Sequence, residues 1–183
     1  KLIQEILEFS SLNAGQLQFQ RHPIQLNQLV DAVLAGQQLA AEQRGIVLYR
    51  SLGKDLPDAF ANPDKIKQVL INLITNAIQY TPAGGEVTVG TDVQHHNGQA
   101  WIIAWVEDTG FGISSEDLPH IFSRFYRGEK PRKLQISGTG LGLAIVKEIM
   151  DLHQGWVDVE SELDKGSTFT IGLPTAKSVT DRT

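Results

Sequence analysis

The chain has 183 residues, 41% hydrophobic and 20% charged, a globular composition that excludes wholesale disorder. It has no cysteine, which excludes disulfides, thiolate metal sites and thiol catalysis. A formal net charge of −5 argues against a broad nucleic-acid surface, yet permits one small anionic ligand held locally.

No apolar run approaches the length of a membrane span, and the first residues do not form a signal peptide. The chain begins with Lys1, so a fragment or a processed chain is expected. Lys1 to Asn13 reads as a helix with an apolar row Leu2, Ile6 and Phe9 and a second row Ile3 and Leu7, stopped by Gly15. A helix this short is marginal alone, so it belongs either to a bundle whose remainder is missing or to the following domain. Alternation at Leu17 and Phe19 predicts a strand over 16–21, before Pro23. A helix follows over 27–44, with Leu29, Val33, Leu34, Ala40 and Ala41 on its apolar side and Gly45 closing it. Residues 46–52 read as a strand and 53–61 as a loop.

Asn62-Pro63 suits a helix start, since Asn caps well and Pro fits the first turn. The helix runs to Tyr80 and ends at Thr81-Pro82. Ile66, Val69, Leu70, Leu73, Ile74, Ala77 and Ile78 form its buried face. Gly84-Gly85 is expected to begin a hairpin, and 86–93 and 99–107 are strands around the turn His95-His96-Asn97-Gly98. The segment 108–140 is turn-rich, with a short helix over 118–125. A helix over 141–153 and strands over 156–160 and 168–173 complete the pattern, and the last ten residues read as a loose tail. The order predicts an α+β fold: a two-layer sandwich with a mixed sheet, unlike a doubly wound fold.

Three segments carry possible chemistry. Asn72 and Asn76 lie four apart on the 64–80 helix, where each Asn costs about 0.6 kcal/mol relative to Ala. Their amide oxygens suit a hard cation that takes its other ligands from phosphates; the alternative is a solvated stripe with Gln68, Thr75 and Gln79. Asp108-Thr109-Gly110-Phe111-Gly112-Ile113 follows a strand directly. Its Asp can accept from an exocyclic amine such as that of adenine, though Asp and Gly are also ordinary turn residues. Gly138-Thr139-Gly140-Leu141-Gly142 runs into a helix start, where free amides and the helix dipole favour phosphate; a flexible capping loop is the plainer alternative. Between the last two segments, Arg127, Lys130, Arg132 and Lys133 crowd a loop in an acidic protein, as a phosphate site or a solvated surface would have them.

In this order and spacing, the segments resemble the catalytic, ATP-binding domain of sensor histidine kinases, within the superfamily that includes DNA gyrase. Residues 68–82 resemble the N box, 108–113 the G1 box, 121–127 the F box and 138–145 the G2 box. Residues 1–15 resemble the end of the dimerisation and phosphoacceptor hairpin, 16–174 the catalytic domain, and 175–183 remain as a tail.

The resemblance implies three helices on a mostly antiparallel sheet, and ATP and Mg²⁺ as ligands. It implies Asn76 as the Mg²⁺ ligand, Asn72 at the phosphates, Asp108 at the adenine amine and Tyr80 beside the base. Arg127 would approach the γ-phosphate, with Lys130 nearby. Gly110, Gly112, Ile113, Gly138, Thr139, Gly140, Leu141 and Gly142 would shape the pocket and the hinges of a lid over 127–139, anchored by the rings of Phe122 and Phe125.

Two features depart from the family pattern. Gln79 stands where many members have Lys. None of His22, His95, His96, His120 and His153 sits in a phosphoacceptor motif; each reads as a surface histidine. The implied partners are an upstream hairpin bearing the acceptor His and a response regulator. The parent is expected to be a homodimer, either anchored in a membrane or not, with this part in the cytoplasm and without nucleic acid or direct membrane contact of its own. A gyrase-type ATPase, or a nucleotide-binding module without catalysis, is the competing expectation.

Overall fold

The computed structural model describes residues 19–96, 99–128 and 138–176. Lys1 to Gly15, with the helix and hairpin end expected there, lie outside the described residues, as do Lys130, Arg132 and Lys133.

Strand β1 (His22–Ile24) leads into α1 (Leu26–Gln43), then β2 (Val47–Leu52), β3 (Ala59–Ala61) and α2 (Pro63–Tyr80). Strands β4 (Glu86–His96) and β5 (Gln99–Asp108), a 3₁₀ turn at Leu118–His120, α3 (Gly142–Leu152), β6 (Trp156–Glu162) and β7 (Gly166–Pro174) follow. The main sheet has the order β2-β4-β5-β7-β6 and is antiparallel except for the parallel pair β2–β4. β1 and β3 form a separate antiparallel pair. The three helices cover one face of the sheet, as expected for the α+β sandwich.

Helix α2 is the central element. Asn62 caps it, its side chain accepting from the Lys65 amide at 3.1 Å, and Pro63 and Asp64 occupy the first turn. Its buried side chains are the seven expected from the periodicity, Ile66 to Ile78. They meet inward residues of the sheet such as Val87 and Val89 of β4, Ile102, Ala104 and Val106 of β5 and Ile171 of β7 in one core. Arg44 closes the far end, donating to the carbonyls of Ile78 (3.1 Å) and Gln79 (3.2 Å).

Several expectations change. Of the strand expected over 16–21, residues 16–18 lie outside the described residues and 19–21 are not strand; β1 forms at His22–Ile24 with Pro23 within it, tolerated because β1 has a single partner strand among the described residues. The 53–61 loop contains β3, whose pairing with β1 spans almost forty residues of sequence and leaves no local pattern. The Gly84-Gly85 turn leads into the expected hairpin of β4 with β5, and β4 also lies parallel to β2 on its other side. On α1, Ala40 is exposed while Leu26 and Val30 are buried. Only Leu118–His120 of the 118–125 helix forms, as a 3₁₀ turn.

His153 is fully buried, a correction to its reading as a surface histidine. Its Nε2 accepts from the Asn62 amide (2.9 Å), and its Nδ1 donates to the Ile149 carbonyl (2.7 Å). The tautomer follows, because an amide N–H can only donate. This ring therefore fastens the start of α2 to the end of α3, and burial pushes its pKa down to about 4. The first residues of the expected tail are held: Thr175 is buried and bridges Ala59, and the Ala176 amide donates to the Asp58 carbonyl at 2.9 Å.

Candidate functional site

Asn72, Asn76 and Tyr80 are spaced at i, i+4 and i+8 on α2, half-buried beside its fully buried stripe. At 1.5 Å per residue they span about 12 Å of helix. The Tyr80 end is closed by the loop after β5. The Phe111 amide donates to the Tyr80 carbonyl at 3.1 Å, and a Cβ added at Gly110 would stand 2.4 Å from that carbonyl oxygen and 2.6 Å from Asp108 Oδ1. Gly110 is thus required by contact, since no larger residue fits between Tyr80 and Asp108.

Asp108 is 6% exposed. Its Oδ1 accepts from the Gly110 amide at 2.8 Å. Burial pushes its pKa up to about 6 against the opposing pull of the Gly110 and Ser167 amides, with Glu107 adding to the rise. A carboxyl fixed by backbone amides and shielded from water is a strong acceptor for an N–H brought by a ligand. The Gly112–Ile113 side of the loop is tied to the β6–β7 hairpin. The Ile113 amide donates to Ser161 Oγ (2.8 Å), Asp164 N–H donates to the Phe111 carbonyl (2.8 Å), and Gly112 backs onto the Glu162 carbonyl. Ser161 and Ser167 were not singled out in the sequence; the only signal was the hairpin turn between them.

The Asn72 end is closed by the start of α3. Asn72 Nδ2 lies 3.4 Å from the Gly142 carbonyl. The Leu141 amide is engaged by Thr139 Oγ1 at 3.3 Å. The Gly142, Leu143 and Ala144 amides open the helix without an intrahelical acceptor. The Leu141 side chain is buried in the core, so only its backbone can serve the site.

The two ends of the expected lid meet at this same place. The Phe125 amide donates to the Gly140 carbonyl at 2.9 Å, and Gly140 has φ +72 with Phe125 backbone 2.7 Å from where its Cβ would stand, so a side chain there is excluded twice. Gly138 lies near both Tyr80 Oη and Arg127 Nε, at 3.9 and 4.0 Å from its virtual Cβ. Burial raises the Tyr80 pKa, and the adjacent Arg127 guanidinium opposes that. The expected anchoring by two rings is half right. Phe122 packs on the core, while Phe125 is 60% exposed, and Tyr126 does the holding instead, donating to Asp117 Oδ1 at 2.6 Å. Nothing in the spacing of Asp117 and Tyr126 announced that bond.

The site therefore brings together Asn72, Asn76, Tyr80, Asp108, Gly110, Arg127 and the 138–142 turn around one helix face. No cluster of three or more His, Cys, Asp or Glu suited to a metal occurs among the described residues. The donor set is instead amide oxygens, which fit a hard cation completed by phosphate and water.

Residues 61–177 match the family described as histidine kinase-, DNA gyrase B-, and HSP90-like ATPase. The chain is 36% identical over 98% of its length to Drug sensory protein A of a Synechocystis strain, and 36% identical over 95% to sensor histidine kinase WalK of Bacillus subtilis. It spans 28% of each of those proteins. Among solved structures, full-length ShkA in complex with AMPPNP superposes with a TM-score of 0.82 at 28% identity, over 96% of this chain and 35% of that one. The nucleotide-free catalytic domain of histidine kinase ThkA gives 0.71 at 27% identity, over 85% of this chain and 96% of that one. The chain belongs to the histidine kinase-, DNA gyrase B- and HSP90-like ATPase family, as a catalytic domain of the sensor histidine kinase kind.

Proposed function

We propose that this domain lies in the cytoplasm, binds Mg·ATP and presents the γ-phosphoryl group to a histidine on an upstream helical hairpin of a longer homodimeric protein, for relay to a response-regulator aspartate. One observation carries the reading: the row Asn72–Asn76–Tyr80 is closed at one end by Asp108 and at the other by Gly142, so groups suited to a base and groups suited to phosphates share one helix face.

In this reading Asp108 accepts from the adenine amine and Tyr80 lies beside the base. Gly110, Gly112 and Ile113 hold the loop that carries Asp108. Asn76 would hold Mg²⁺, with Asn72 beside it, and the ion when bound supplies neutralisation of phosphate charge. Arg127 and the amides at 139–142 would hold the phosphates, with Lys130 adding charge from the lid. What the protein contributes to in-line transfer is position and charge, with no covalent intermediate of its own.

A gyrase-type ATPase needs a carboxylate near the position of Asn72 to activate water, and a carboxamide cannot act as that base. Asn76→Ala is the direct test. It should abolish Mg²⁺-dependent binding of a fluorescent ATP analogue, and transfer to an added hairpin fragment, with an unchanged circular dichroism spectrum. Retention of both would overturn the assignment. Rapid steady-state phosphate release by the chain alone would favour the ATPase.

A further inference from the structure

We infer that the outer face of the main sheet is a docking surface for an arginine-bearing segment of a partner protein. The inference is independent of the nucleotide site.

A sheet covered on one face should alternate apolar and polar residues. Strand β5 does not. Ile102, Ala104 and Val106 point to the core, but the alternate positions are Trp101, Ile103 and Trp105, which point away from the helices. Trp156 of β6 joins them, its ring 6.4 Å from that of Trp101 in an edge contact. All three tryptophans of the chain thus lie on this one face. Two are seated on glycines of the neighbouring strand. A Cβ at Gly90 would stand 2.1 Å from the Trp105 ring, and one at Gly172 2.2 Å from the Trp156 ring. The rings therefore lie low across the sheet as a platform, and no helix among the described residues covers it.

The charge around the platform is predominantly negative, with Lys165 of the β6–β7 turn paired with Glu162 at the edge (2.6 Å). Glu86, Asp92, Glu107, Asp158 and Glu160 are exposed on the outer positions of β4, β5 and β6. Arg50 is the single Lys or Arg on the five strands, and it faces the helix side, paired with Asp31 at 2.7 Å. A second copy of this face, a membrane of anionic lipid and a nucleic acid would all be repelled. Guanidinium groups satisfy both features at once, stacking on Trp faces and pairing bidentately with carboxylates, which an ammonium does less well. Apolar platforms with Trp at the centre and charge at the rim are the usual energetic core of protein interfaces.

Because every tryptophan reports from this face, intrinsic fluorescence reads occupancy directly. Titration of the 183-residue chain with nona-arginine at low salt should shift and quench the emission, with nona-lysine binding several-fold more weakly. The exposed pair Asp158→Lys and Glu160→Lys should weaken nona-arginine binding at least tenfold. The pair Glu42→Lys and Asp151→Lys, on the helices and with the same change in net charge, should leave it unchanged. The inference fails if the emission does not respond, if both charge-reversed pairs weaken binding equally, or if sedimentation shows the face already buried between copies of the chain.

Discussion

Helices α1 and α2 are both 18 residues long and both lie on the same sheet face, yet they are built differently. α1 starts at Gln25 without a side-chain cap among the described residues, carries no acidic residue in its first turn, and buries Leu26, Val30, Val33 and Ala41. α2 is capped by Asn62, pinned at that end by His153, closed at the other end by Arg44, and buries seven side chains. The first helix only covers the sheet. The second must hold Asn72, Asn76 and Tyr80 in register with loops from two other parts of the chain, and its ends are fixed accordingly.

The contrast can be broken experimentally, starting in the core. Leu70→Ala in α2 removes a fully buried side chain and should cost about 2–5 kcal/mol, read by thermal or urea unfolding. Leu39→Ala in α1, at a 65% exposed position, should fall within about 0.5 kcal/mol of wild type. Asn62→Ala should cost about 1 kcal/mol through the lost cap, whereas Gln25→Ala at the start of α1 should change little.

The pin at His153 should show in the pH dependence. Its pKa falls from 6.5 to about 4 on folding, so its contribution is complete above the unfolded value and is lost as pH falls from about 6.5 through 4. His153→Phe should flatten that part of the Tm–pH profile, whatever it does to Tm at pH 7; an unchanged slope would contradict the burial argument.

Asp108 behaves with the opposite sign. Its raised pKa means that ionisation opposes folding as pH rises from about 4 through 6, while an N–H donor from a ligand favours the ionised form. Adenosine, which has no phosphate to titrate, should therefore bind about fivefold more tightly at pH 7.5 than at pH 5. Asp108→Asn should remove that dependence, as followed by calorimetry.

Much of this was legible in the residues. The α2 face from Ile66 to Ile78 follows from helical period alone, and Asn62-Pro63 marks its start because capping is local chemistry. What was not legible depends on partners distant in sequence. β3 is three residues paired with β1, His153 bonds an amide 91 positions away, and α1 buries Val30 instead of Ala40 because the sheet beneath it sets which side is covered. In the site, the Asp108 loop and the helix amides were readable as types, but the Tyr126–Asp117 bond and the exposed Phe125 ring arise from how the lid ends are packed.

Strand β3 has a mechanical consequence. Ile24 pairs with Ala59 on one side and Thr175 bridges it on the other, so the described chain arrives and departs beside the same three residues. Any module fused at either terminus pulls on that corner, at the start of α2, roughly 26 Å along the helix from Tyr80. A load entering at that corner is therefore separated from the Tyr80 end of the pocket by nearly the whole length of α2.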